Sequence, residues 1–80
     1  MKKNKDLVKL GDAIRLERLR RRWSQEVLAE KAEIPQYQQV SRFERAEVDM
    51  RVTKLFAILR ALNLKLEDLI DIYEADNGES

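Results

Sequence analysis

Gln38, Gln39, Ser41, Arg42 and Arg45 crowd into one short stretch at the end of the segment SQEVLAEKAEIPQYQQVSRFE (Ser24–Glu44) and just beyond it. A carboxamide presents a donor and an acceptor side by side, which matches the adenine edge in a DNA major groove. A guanidinium presents two parallel donors, which match guanine. On a helical wheel Gln38, Arg42 and Arg45 share one side and Ser41 and Gln39 flank it. Val40, Phe43 and Gln36 group on the other side, and Tyr37 lies with Val40. The pattern reads as a short helix with an apolar back and an outward face able to reach base edges. Solvation is the ordinary alternative for Gln38 and Arg42, and a place at the groove edge is the alternative for Gln39. For Tyr37, packing and phosphate contact compete with base contact.

Few other chemistries are open to the chain. It has no His and no Cys, so it lacks the usual general base, the best nucleophile, a thiolate zinc site and a disulfide framework. There is no Gly-rich phosphate loop, and the acidic group Glu67, Asp68 and Asp71 lacks the spacing of a calcium loop. No enzyme activity, cofactor or metal is expected. No apolar run approaches a bilayer span and no signal-peptide core follows the basic start, so a cytoplasmic location without membrane contact is expected. The net charge of +1 conceals an asymmetry: residues 1–22 hold nine Lys or Arg against three acids, and residues 66–80 hold six acids and no base. One end is suited to polyanions.

Eighty residues make one small domain, for which a second copy is a natural folding partner. Two Gly, one Pro and apolar residues at helical spacing indicate an all-α chain. The expected helices run from about Lys5 to Arg22, Gln25 to Ala32, Pro35 to Arg45, Val52 to Leu62 and Leu66 to Tyr73. Ser24 suits the N-cap of the second. Pro35 suits the first turn of the third, and Asn63 can close the fourth in a left-handed conformation. Leu7, Leu10 and Ile14 form the apolar stripe of the first helix, with Leu16, Leu19 and Trp23 extending it. The fourth is expected to bury Leu55, Phe56, Ile58, Leu59 and Leu62. Residues 1–9 form a basic arm leading into helix one, 10–73 the domain, and 74–80 an acidic tail.

Across residues 10–69 the chain resembles the Cro/phage-repressor (Xre-type) helix-turn-helix family. The matching pieces are Gly11 with Ile14–Arg15, Arg18, Ser24–Gln25, Leu28–Ala29, the VSRFER run at Val40–Arg45, and ALNLKLEDL at Ala61–Leu69. The resemblance implies a compact five-helix domain in which helices two and three form the helix-turn-helix and helix three enters the major groove. It implies base contacts from Tyr37, Gln38, Gln39 and Arg42. Phosphate contacts are implied for Gln25, Ser41, Arg45 and Arg51. It also implies a structural ion pair between Arg18 and Glu44.

Departures from the family pattern carry expectations of their own. The interval from Leu28 to Glu44 is one residue longer than usual, and two common glycines are Glu33 and Ala46 here. A lengthened turn near Ile34–Pro35 is expected to spare that region any left-handed residue. Glu17 stands at a usually apolar position, while Leu16 and Leu19 are apolar where polar residues are common; a rotated helix one or a partner surface would account for both. Glu47 and Asp49 would repel phosphate. The resemblance implies a homodimeric repressor on an inverted-repeat operator in double-stranded DNA. Helix five and its neighbours hold more apolar surface than one small core needs, so Leu64, Leu66, Leu69, Ile70 and Tyr73 are the expected dimer interface. Within that reading an antitoxin that also binds a toxin ranks slightly ahead of a restriction–modification controller. An interaction module that has lost DNA binding is the reading from another class.

Overall fold

Each helix begins where a donor-rich first turn finds an acceptor or stays open to solvent, and the four longer ones end in the same way. The computed structural model describes residues 4–69 and 71. Asn4 caps α1 (Lys5–Arg20), its side chain accepting from the N–H groups of Asp6 and Leu7 at 2.8 and 3.2 Å. The Ser24 hydroxyl accepts from Val27 N–H at 3.1 Å and opens α2 (Gln25–Lys31). The third helix, α3 (Tyr37–Glu44), and the fourth, α4 (Val52–Leu62), start without a side-chain cap. A further helical turn, α5, covers residues 66–69, and the Asp68 carboxylate reaches back to accept from Lys65 N–H at 2.9 Å. No helix among the described residues is long and apolar enough to cross a membrane.

All four longer helices close through a left-handed residue, and none of these is glycine. Arg22, Glu33, Ala46 and Asn63 have φ of 59, 57, 59 and 58°. After α1 the N–H of Trp23 donates to the Arg18 carbonyl and that of Arg22 to Leu19. The same pair of bonds recurs after α2, from Ile34 to Ala29 and from Glu33 to Glu30. It follows α3 and α4 as well, with Glu47 and Leu64 donating back to Arg42 and Leu59. These are Schellman closures, which satisfy carbonyls that a helix end leaves open. The expectation that the turn after α2 avoids a left-handed residue is therefore wrong: Glu33 adopts one despite its side chain. The closure carries Ile34 into the core, Pro35 sits in an exposed bend, and α3 begins at Tyr37 rather than Pro35. Helix one likewise ends two residues early, because Arg21 and Arg22 form its closing turn.

The core is built from Ile14, Leu28, Val40, Ile58 and Leu62, all fully buried, with Ala29, Ala32, Ile34 and Phe43 around them. Both α1 and α2 pack on α3, and α2 also packs on α4. Helices α1 and α3 approach closely at Gly11, where a Cβ would lie 2.5 Å from the Phe43 carbonyl oxygen and 2.8 Å from that of Glu44. Leu69 joins Ala13 and Leu59 in a second buried cluster. It thus packs inside the single chain rather than on the surface expected for it. Ile70 and Tyr73, the basic arm at Lys2–Lys3 and the acidic tail lie outside the described residues. Phe56, expected inside, is 42% exposed, and so are Leu16 and Leu19 to a similar degree. Helix one is not rotated to hide Glu17 from the core. Glu17 is buried, bonded to Arg21 at 3.0 Å and Arg20 at 3.3 Å, and Arg21 also donates to the Leu62 carbonyl that ends α4.

Candidate nucleic-acid interface

The outward face of α3 owes its position to bonds on the inward face. Arg18 on α1 grips Glu44, the last residue of α3, in a two-pronged pair: Nε donates to Oε2 at 2.7 Å and Nη2 to Oε1 at 2.9 Å. Both residues are buried. The remaining terminal nitrogen of Arg18 donates to the Trp23 carbonyl at 2.8 Å, tying the α1–α2 corner to the same group. Gln25, the first residue of α2, donates from Nε2 to Glu44 Oε1 at 3.0 Å. A single carboxylate thus joins α1, α2 and α3. Charge-assisted, bidentate bonds of this kind are short and directional, so they fix the angle at which α3 leaves the body. Trp23 packs half-buried against the core, with the Lys31 ammonium 4.9 Å and the Arg21 guanidinium 5.8 Å from its ring centre.

On the far side, Gln38 and Arg42 are exposed and Gln39 half-exposed. Val40 and Phe43 are buried opposite them. Tyr37 is 41% exposed and Gln36 is exposed, contrary to the wheel that set them on the buried side. The wheel assumed a helix already running at Pro35. Because α3 starts at Tyr37, Gln36 is the N-cap with extended backbone and stands outside that helical register. Gln36, Gln38, Gln39 and Arg42 line one shallow open depression. An adjoining depression is lined by Gln39, Arg42, Phe43, Val48, Asp49, Arg51 and Lys54.

The residues expected at phosphates lie around this face in unequal states. Arg51 is exposed at the start of α4 beside Arg42. Ser41 is half-buried on the flank of α3. Gln25 is half-buried with one amide proton given to Glu44, which leaves its second for an outside acceptor. Arg45 is exposed but holds Glu47 at 2.9 Å, so the acidic loop engages the cation meant for phosphate. Exposed pairs of this type contribute little and yield to a better partner. Sequence reasoning missed two residues here. Lys54 lines the second depression with Arg42 and Arg51, and its signal was the polar flank of α4. Gln36 was lost to the assumed helix start.

The arrangement presents carboxamides and one guanidinium on the outward face of a short helix, with Arg51 and Lys54 beside it at the start of α4 and the acid Asp49 among them. The amides and cations are the parts needed to enter a major groove and hold the adjoining phosphates. Comparison with known proteins agrees with this architecture. The profile of the helix-turn-helix family matches residues 14–69. No curated protein matches the chain in sequence. Among solved structures, the wild-type restriction–modification controller protein C.Esp1396I superposes with a TM-score of 0.88 at 21% identity, covering 96% of this chain and 99% of that one. The controller protein C.AhdI from Aeromonas hydrophila superposes at 0.78 with 27% identity, over 82% of this chain and 98% of that one. With the family profile spanning most of its length and the same architecture in its structural neighbours, the chain belongs to the helix-turn-helix family.

Proposed function

We propose that the protein is a sequence-specific transcriptional regulator that inserts α3 into the major groove of double-stranded DNA. The observation that carries this reading is the division of α3 into two faces. Glu44 anchors it from behind through Arg18 and Gln25, while Gln38, Gln39 and Arg42 stand outward beside Arg51 and Lys54. Tyr37, Gln38, Gln39 and Arg42 read bases, and Gln25, Ser41, Arg45, Arg51 and Lys54 hold phosphates. The two structures compared above are restriction–modification controller proteins, which supports the controller role over the antitoxin role. The test is binding to duplex DNA over a range of salt. Three cations per protomer on phosphate, in a dimer, give a slope of log K on log salt of roughly −5. Absence of affinity at moderate salt would leave an interaction module, the reading that the Arg45–Glu47 pair favours.

The regulator acts as a homodimer, with two copies of α3 about one helical turn apart on an inverted repeat. With Leu69 inside the chain, the interface moves outward to Leu66, Val52 and Phe56, all exposed, with Leu64 half-buried beside them. Val52 and Phe56 stand one turn apart on α4, next to the flank from which Leu55 and Leu59 pack towards Leu69. Phe56→Asp is expected to reduce the mass in solution to that of a monomer. A dimeric mass for this variant would place the contact elsewhere.

A further inference from the structure

The N-terminal half of the reading face holds one carboxamide more than the sequence pattern assigns to it. Gln36 is exposed in extended backbone, φ −122° and ψ 111°, at the position where a side chain usually caps the helix. It makes no capping bond. Its own carbonyl accepts from Gln39 N–H at 3.0 Å, which sets the backbone, and the carboxamide is left to the shared depression with Gln38, Gln39 and Arg42. We propose that Gln36 is a base-reading residue, and that the half-site consists of neighbouring A·T pairs joined to one G·C pair. The proposal rests on the DNA-binding reading of the same face.

The chemistry follows from what lines the depression and what does not. Three carboxamides and one guanidinium face it, and among the described residues no carboxylate does, Asp49 lying in the adjoining depression. Carboxamides pair in a bidentate manner with adenine and guanidinium with guanine, whereas a carboxylate would be needed to accept from the cytosine amine. The side chain of a shorter Asn at this position would turn back onto the first-turn N–H groups. Gln36 does not, so its donor and its acceptor are both available for a base edge. Spacing sets the order. From Gln38 to Arg42 the helix rises about 6 Å, which at 3.4 Å per base step is about two pairs. The G·C read by Arg42 thus lies about two pairs beyond the A·T read by Gln38, and the pair read by Gln36 lies on the opposite side of that A·T.

The experiment is selection of bound sequences from random duplexes at near-physiological salt, with the wild type, Gln36→Ala and Arg42→Ala in parallel. The wild type is expected to enrich a half-site of two or more A·T pairs and one G·C. Gln36→Ala should relax a single A·T position, lowering discrimination there roughly 5- to 150-fold, and keep the G·C. Its melting temperature should stay as in the wild type, because the residue is exposed. Arg42→Ala should relax the G·C. A half-site dominated by G·C, or an unchanged profile in Gln36→Ala, overturns the proposal. Retention without enrichment overturns it too, and leaves a backbone-only DNA binder. No retention at all overturns the DNA-binding reading beneath it.

Discussion

Glu33→Gly should make the protein more stable. Glu33 sits at φ 57° after α2, in an exposed position where its side chain crowds the following carbonyl. An L-residue in that conformation costs about 1–2 kcal/mol. Glycine removes the cost but loosens the unfolded chain, which takes back about 0.4–1 kcal/mol. The net gain is roughly 0.5–1 kcal/mol, or about 2–8 °C in Tm for a domain of this size. A second effect points the same way: an acid at a helix C-terminus is unfavourable by a few tenths of a kcal/mol. Glu33→Gln isolates that effect, because it removes the charge and keeps the Cβ. The assay is thermal and urea unfolding of the wild type and both variants by circular dichroism. Glycine should exceed glutamine by at least about 0.5 kcal/mol. Equal stability of the two variants, or a loss in the glycine variant, would refute the argument from backbone strain. Arg22→Gly, at φ 59° and also exposed, should add its gain independently.

Gly11→Ala should destabilise, because the new methyl would meet the Phe43 and Glu44 carbonyls at 2.5 and 2.8 Å. Overpacking of about 1–3 kcal/mol outweighs the gain of about 1 kcal/mol in helix propensity; a more stable variant in urea would show that α1 can withdraw from α3. Glu44→Gln should cost about 3–5 kcal/mol by leaving Arg18 charged and buried without its partner, and a loss under about 1 kcal/mol in urea unfolding would contradict the anchoring role. Glu47→Gln should weaken the hold on Arg45 and remove a repelling charge. Affinity for unrelated duplex should then rise and the salt slope steepen by about one, whereas an unchanged slope would place Arg45 away from phosphate.

Local chemistry made some elements legible and hid others. The limits of α4 and its closure at Asn63 follow from apolar spacing and from a residue type that tolerates a left-handed turn. Ser24 announced α2 through its hydroxyl. Pro35 fits a first helical turn, yet α3 starts two residues later, at Tyr37. What delays the helix is the Schellman closure of α2, a backbone event with no side-chain signature when Glu replaces Gly. Leu69 shows the limit of apolar counting: spacing marks a residue as apolar-facing, but only packing decides whether its neighbour is Leu59 or another chain. Residues 18 and 44 are far apart in sequence, and no periodicity links them; family resemblance did. The Gln25 bond to the same carboxylate could not be read from spacing, because it depends on how the three helices meet.

The anchoring of α3 through Glu44 separates two things that are inherited together. The side-chain anchors of the helix lie behind it, in Arg18, Glu44, Gln25, Val40 and Phe43. No hydrogen bond or ion pair within the described residues engages the side chains of Gln36, Gln38, Gln39 or Arg42. On the proposed DNA-binding reading, point mutations in front change the address while the scaffold stays as it is, since exposed substitutions of this kind alter stability by less than about 0.5 kcal/mol. A lineage built on this scaffold can diverge in target faster than in architecture, and two copies in one cell can become insulated from each other through a few exposed positions.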